Sequence, residues 1–333
     1  FSSYLGNKYS VTLSNGSVAL EVALKALNLK KGDEIIVSCQ DHEANAGAWR
    51  RLEKQGITIV EWHVNSETGL LELDTLKSLF SDRTKMVAYP HCSNVIGHVN
   101  PVKEISKMVR KVGALSVVDG VGLAPHGFPN IKELGADIYL FSLYKTFGPH
   151  LGLMYVAKEL AVKMENQSHY FNEGILKSML TPAGPDHAQI AAASGVIDYF
   201  DTIYEHHFDT KATPTERNTA INRLFLEHEN TLLNHLLAFL RSRDDIQIVG
   251  PNTIENRAPI VSIIPKNKKI KRVYADLTKH KLMLGIGHFY AVRPLQDMNI
   301  DEQTGVIRIS FLHYTSMEDV EQLINGLKDA LSE

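Results

Sequence analysis

LSVVDGVGLAPHGFPNIKELGADIYLFSLYKTFGPHLGLMYV, residues 115–156, decides the fold. The runs 115–118, 138–141 and 152–156 are short and rich in β-branched, aromatic and aliphatic residues, as strands buried in a sheet are. Asp119 ends the first run, and Lys145 follows the second. Working outward, the same alternation extends upstream. Runs at 34–37, 57–61 and 84–89 read as strands, and a strand-like segment begins at Val11. Between them, 17–29 carries Leu20, Ala23, Leu24 and Leu27 at helical spacing and closes on Lys30, Lys31 and Gly32. Residues 43–55, 73–80 and 102–112 read as further helices. Strands separated by helical patterns imply βαβ units and a mostly parallel sheet.

Downstream the character changes. Residues 188–204 and 216–241 are long helical stretches. The tail reads as strands at 246–249, 259–264, 282–285 and 306–310, with helices at 271–281 and 317–331. The expected fold class is α/β: a mostly parallel sheet flanked by helices in 1–210, and a smaller α+β domain in 211–333.

Composition narrows the function. The 333 residues carry 35 Lys and Arg against 38 Asp and Glu, so no global charge favours nucleic acid. The basic run 266–272 reads as a solvated turn entering a helix. No apolar stretch of membrane-spanning length lacks a charge, and no signal peptide is legible, so a cytoplasmic protein is expected. Cys39 and Cys92 are too few and too far apart for a zinc ribbon or a disulfide scaffold. His206 and His207 are adjacent, and neighbours on a helix do not share a face, so no metal site is expected.

In open α/β sheets, ligands bind beyond the carboxyl ends of the strands. Polar residues fall there in series: His42 after the strand ending at 37, Asn94 after 89, Asp119 after 118, and Lys145 after 141. Asn15, Gly16 and Ser17 stand at the start of the first helix, where free N–H groups and the helix dipole favour a phosphate. Each alone has a plainer reading. The Asn-Gly-Ser triplet is a helix cap, Asp119-Gly120 a turn, Lys145 a surface lysine, and His42 a buried histidine. Cys92 reads as a small buried apolar residue rather than a nucleophile. Their conjunction at successive strand ends points to a site.

These segments resemble the class V aminotransferase and cysteine desulfurase superfamily, pyridoxal 5′-phosphate (PLP) enzymes of fold type I. GDEIIVSCQDHEAN (32–45) looks like the segment that supplies a ring-stacking histidine, here His42. HCSNVIGHVNPVKEI (91–105) matches the next motif, with Asn94 near the cofactor's phenolic oxygen. VVDGVGLAPHG (117–127) matches the aspartate motif, with Asp119 on the pyridine nitrogen. FSLYKTFGPHLGLMYV (141–156) matches the Schiff-base motif, with Lys145 as its lysine, Ser142 on the phosphate, and Tyr144 where many relatives carry histidine. VIRISFLHYTSMEDVEQLINGL (306–327) resembles the C-terminal motif whose arginine, here Arg308, holds the substrate carboxylate. The "cysteine desulfurase-like" branch is the nearest likeness.

The resemblance implies roles with a physical basis. Asp119 would keep the pyridine nitrogen protonated, which makes the ring an electron sink. His42 would fix the ring plane, and Gly16, Ser17 and Ser142 would cup the phosphate. Lys145 would bind the cofactor and then act as the base at Cα. Arg308 offers a two-pronged grip on a carboxylate that lysine cannot reproduce.

Departures refine the expectation. In GIGHFYAVRPL (285–295), Tyr290 stands where desulfurases carry the sulfur-accepting cysteine, which disfavours a persulfide-forming enzyme. Gly122 stands where many relatives have glutamine or histidine. Pro185, in TPAGPDHAQ (181–189), replaces a threonine that reaches the neighbouring subunit's phosphate. The family's first segment, ahead of the phosphate helix, is expected to be absent or shortened. The expected function is an aminotransferase acting on a free amino acid. The alternatives are a cysteine- or selenocysteine-type β-lyase without a catalytic cysteine, epimerisation, or a non-catalytic PLP-binding protein. A homodimer is expected, with no nucleic-acid or membrane partner.

Overall fold

The computed structural model describes residues 1–6, 10–14, 16–182 and 184–332. Asn15 lies outside the described residues. In chain order the first elements are β1 (Val11–Leu13), α1 (Gly16–Ala26), β2 (Glu34–Ser38), α2 (Glu43–Arg50), β3 (Thr58–Trp62), α3 (Leu73–Leu79), β4 (Thr84–Pro90), α4 (Val102–Lys111), β5 (Leu115–Asp119), α5 (Ile131–Leu134), β6 (Ile138–Ser142) and β7 (Gly152–Val156). Four helices follow: α6 (Lys158–Ala161), α7 (His187–Ala192), α8 (Ser194–His207) and α9 (Pro214–Arg241). The tail holds β8 (Ile246–Val249), β9 (Ile260–Pro265), α10 (Ile270–Lys279), β10 (Gly285–Gly287), α11 (Val292–Asp297), β11 (Val306–Ser310) and α12 (Met317–Leu331).

The large sheet runs β1-β7-β6-β5-β4-β2-β3. From β6 to β3 every pairing is parallel, and β7 is antiparallel to both its neighbours. Strand periodicity explains the continuous apolar runs. Ile35 and Val37 enter one core layer with α1 and α2, while Ile36 enters the opposite layer. Likewise Ile138 and Leu140 face the first layer, and Tyr139 and Phe141 the second. A strand buried on both faces has no polar side to alternate with. The second layer is aromatic. Phe200 of α8 stacks on Phe128 with ring centres 4.9 Å apart, and Phe225 of α9 lies 5.7 Å from Phe200.

The second sheet runs β10-β11-β9-β8 and is antiparallel throughout. α9 serves both bodies: Ile221 and Phe225 pack in the aromatic layer, and Leu232, Leu233, Leu236, Leu237 and Leu240 in the core under the small sheet. It starts at Pro214, earlier than its apolar pattern, because Thr213 and Glu216 form a reciprocal cap and proline suits the first helical turn.

Three sequence expectations need correction. Residues 43–55 are not one helix: α2 gives way to a 3₁₀ turn at Arg51–Gln55, closed by Gly56 at φ 83°. The stretch 188–204 is two helices, α7 and α8, meeting at Ala193. The strand expected at 282–285 lies at β10, where Gly285 pairs with Arg308. Met283 is 99% exposed, so that apolar run is a connection and its register comes from β11. Among the described residues no helix is long and apolar enough to cross a membrane.

Candidate active site

A cavity of about 810 Å³ lies beyond the carboxyl ends of β2, β4, β5 and β6 and is bordered by β11 and the loop before α11. His42, Asn94, Asp119, Ser142, Tyr144, Lys145 and Arg308 all line it. Gly16 and Ser17 open α1, and Leu20, one turn further along that helix, also lines the cavity.

His42 is the N-cap of α2, and its Nδ1 accepts the Ala44 N–H at 3.0 Å. Burial, then the charges of Lys145 and Arg308, push the imidazole down to about 4. The ring is therefore neutral near pH 7. With Nδ1 accepting, its proton sits on Nε2.

Asp119 ends β5 with 6% of its surface exposed, and one carboxylate oxygen accepts the Val121 N–H at 2.8 Å. Burial pushes it up to about 6, opposed by that hydrogen bond and by the Lys145 charge. A second buried acid, Asp41, shares the cavity. Burial and the Asp119 charge hold its carboxyl well above the ordinary range, against hydrogen bonds from Asn45 Nδ2 and from His42 N at 2.8 Å. Asp41 was not singled out in the sequence; its signal is an acid just beyond a strand with an apolar centre, residues 35–37.

Two raised carboxyls set a pH dependence. In the unfolded chain both ionise near 4. In the fold they keep their protons to higher pH, so their ionisation costs stability as pH rises above about 4, for Asp119 through about 6. The cofactor-free Asp41→Asn variant should therefore gain melting temperature relative to the parent, with a gap that widens as pH rises above about 4. Paired thermal melts at stepped pH test this. A gap that is constant with pH rejects it.

Lys145 closes a 3₁₀ turn, Leu143–Lys145, and is exposed. Its Nζ has no hydrogen bond or ion pair among the described residues and stands 5.6 Å from the Tyr144 ring centre. Its charge nevertheless reaches both Asp119 and His42. Thr146 Oγ1 donates to the Ser142 carbonyl at 3.2 Å and folds the turn back. Ser142 is buried apart from the cavity it lines, and its hydroxyl has no partner among the described residues. Tyr144 stacks on His150, with ring centres 4.5 Å apart and planes within 5°.

Arg308 projects from β11. Its guanidinium carbon lies 3.9 Å from the Phe289 ring centre, and its Nη1 donates to the Asn94 carbonyl at 2.9 Å. Asn94 Nδ2 donates in turn to the Phe289 carbonyl at 2.9 Å. The loop so held is unusual. Phe289 and Tyr290 are consecutive non-glycine residues at φ 50° and 58°, a left-handed geometry that persists where surrounding contacts enforce it and that gathers at functional sites. The Tyr290 carbonyl accepts the Glu43 N–H at 2.7 Å, and its ring centre is 5.3 Å from that of His42.

Both thiols are buried and held protonated. Cys92 lines the cavity but is buried, donates to the Gly97 carbonyl at 3.4 Å, and is pushed up to about 12 by burial. Cys39 is buried and likewise pushed up to about 12. Its sulfur, His63 and Asp297 bring ligand atoms within 4.8 Å of one another, but His63 Nδ1 and Asp297 Oδ1 already pair at 2.8 Å. At Gly122 a Cβ would sit 2.5 Å from the Cys92 carbonyl oxygen, so glutamine or histidine there would collide with backbone.

This donor set suits pyridoxal phosphate. An amine and a hydroxyl without partners among the described residues, a buried carboxylate and a neutral imidazole border one cavity. The comparisons agree. The aminotransferase class-V family model matches residues 7–203 and 220–323. An aminotransferase-like protein of Gibberella zeae is 32% identical over 314 residues, spanning 92% of this chain and 74% of its own. A cysteine desulfurase-like protein of Aspergillus flavus is 30% identical over 329 residues, 94% of this chain and 71% of its own. Among solved structures, a cysteine desulfurase of Thermococcus onnurineus superposes with a TM-score of 0.83 at 24% identity, over 98% of this chain and 81% of its own. An Escherichia coli cysteine desulfurase does so with 0.80 at 22%, over 97% and 78%. These two likenesses show the fold.

Proposed function

Because the chain belongs to the aminotransferase class-V family, whose enzymes use pyridoxal 5′-phosphate, we propose that it acts on a free amino acid by moving the Cα proton and that the outcome is transamination. When bound, the cofactor supplies an electron sink that stabilises negative charge at Cα. The observation that carries the reading is the meeting of Lys145, Asp119, His42 and Arg308 on one cavity.

Each side chain has a task in this reading. Lys145 Nζ holds the cofactor aldehyde in the resting enzyme and moves the Cα proton once substrate has entered. Asp119 holds a proton on the pyridine nitrogen. His42, neutral, lies against the ring without adding charge to it. Ser142, with Gly16 and Ser17 at the start of α1, receives the phosphate, and Asn15, which precedes them in the sequence, is assigned to it too. Asn94 serves the ring's phenolic oxygen, and Tyr144 stands beside the lysine. Arg308, set by Phe289 and the Asn94 carbonyl, grips the substrate carboxylate with its remaining N–H groups. Transamination is preferred over sulfur transfer because no thiol takes the place of Tyr290, and Cys92 is protonated and hydrogen-bonded. Within this reading the cofactor domain is 1–210 and the smaller domain 211–333.

The test is a screen of single amino acids against the holoenzyme, followed by the cofactor's visible absorbance and by product analysis. A demand for a 2-oxo acid as second substrate supports transamination. Pyruvate and a thiol released without one would replace it with β-elimination. We also propose a homodimer. Tyr144, Phe147, Tyr199, Tyr290 and Tyr314 are exposed large rings, and Tyr144 and Tyr290 line the cavity itself. Light scattering should give twice the chain mass, and a fully active monomer would reject the dimer.

A further inference from the structure

The substrate's side chain needs a partner of its own, and His126 on the cavity wall is placed to be one. His126 ends the 3₁₀ turn Ala124–His126 that follows Asp119. It lines the same cavity as Lys145 and Arg308. Its Nδ1 lies 3.0 and 3.1 Å from the two carboxylate oxygens of Glu229 on α9. The two side chains are only 8% and 3% exposed.

This pairing fixes the ring's chemistry. A buried carboxylate is costly unless a donor faces it, and among the described residues Nδ1 is the only donor to the Glu229 side chain. Nδ1 therefore carries a proton, and the ring cannot turn without stripping Glu229 of its bond. That leaves Nε2, which has no hydrogen-bond partner among the described residues. Val121, Pro125, Ile260, Phe311 and Leu312 add apolar surface to the same cavity. An apolar ligand group covering Nε2 would leave a polar atom unsatisfied, whereas a hydrogen-bonding group would not.

Resting on the function proposed above, we infer that His126, oriented by Glu229, selects the substrate by hydrogen-bonding its side chain through Nε2, so the enzyme takes amino acids with a polar side chain over their apolar isosteres. Arg308 fixes the carboxylate, Lys145 meets Cα, and His126 reads what is attached to it. A site built to hydrogen-bond its ligand rejects the analogue that lacks the group more strongly than an apolar pocket rejects an added one.

The experiment titrates the holoenzyme with near-isosteric pairs: threonine and valine, asparagine and leucine, glutamine and methionine. The cofactor's visible band reports binding, and product reports kcat/KM. The parent should favour the polar member of at least one pair by about tenfold or more in both readouts. His126→Phe alone would leave Glu229 buried without a donor, so it is combined with Glu229→Gln. In that double variant the preference should fall to about twofold or less, with the band before substrate unchanged. Glu229→Gln alone keeps the imidazole but frees its tautomer and should give an intermediate preference. A second readout needs no substrate: imidazole ¹⁵N shifts of histidine-labelled protein should place the neutral-ring proton on Nδ1 in the parent and on both nitrogens in Glu229→Gln. A band moved by amino acids without polar preference, or a preference that survives the double variant, overturns this inference alone. A band that no amino acid moves overturns the functional reading and this inference with it.

Discussion

Replacing Lys145 by alanine is expected to abolish the visible absorbance of the lysine-bound cofactor and to lower turnover by at least 10²–10⁴-fold, the range for a lost proton transfer alone. The same change should leave stability within about 0.5 kcal/mol. The second half of that expectation follows from the environment. Lys145 is exposed, without a hydrogen bond or ion pair among the described residues, and its aromatic neighbour Tyr144 is itself 45% exposed. Its amine meets the fold only through its charge, which reaches Asp119 and His42 across the cavity. A lysine that matters to chemistry and not to folding separates the two readings of this residue cleanly. Were it an ordinary surface lysine, both the spectrum and turnover would survive its removal. Absorbance spectra, turnover and a thermal melt on one preparation decide the matter, and a variant that keeps its band removes the basis of the proposed function.

The parts of the site legible in the sequence are those that strand periodicity positions. His42, Asn94, Asp119 and Lys145 come just beyond apolar runs, and a parallel sheet brings the carboxyl ends of its strands to one edge, while Ser142 was legible through resemblance. Arg308 is legible only through resemblance, since nothing local distinguishes it from another strand residue. What was not legible depends on contacts distant in sequence. The hydrogen bonds from Asn94 to Phe289 and from Arg308 to Asn94 join segments about 200 residues apart, and the Phe289 ring under Arg308 packs a loop on a strand. The left-handed backbone at Phe289 and Tyr290 has no sequence mark, because neither is glycine, asparagine or aspartate. Glu229 reads as one more charge in a long amphipathic helix until α9 folds over the turn that carries His126. In the same way, β10 was misplaced because the apolar residues at 282–284 resemble a strand, while pairing with β11 selects the glycine-rich residues after them.

Asp119→Ala should separate activity from stability in the opposite sense to most buried substitutions. Turnover is expected to fall by about 10²-fold or more, the scale on which a single preorganised charge contact matters. The cofactor should still be retained in part, because Lys145, His42 and Ser142 border the same cavity and do not depend on this carboxylate. The cofactor-free variant, however, should be at least as stable as the parent at neutral pH. Asp119 is buried beside Asp41, and burial pushes its carboxyl up to about 6. Near pH 7 the cofactor-free fold therefore holds an ionised carboxylate at a cost, offset by one hydrogen bond from Val121 and by the Lys145 charge. Alanine removes that cost together with the bond, and Asp41 loses the like charge that helps hold its own carboxyl up. Under the proposed function the cation that would compensate this acid is the protonated ring nitrogen. Thermal melts of cofactor-free protein and kcat of the reconstituted enzyme measure the two sides. Unchanged kcat would show that the carboxylate has no part in the chemistry, and a melting temperature lowered by several degrees would show that Asp119 is held in place by the fold rather than by the cofactor.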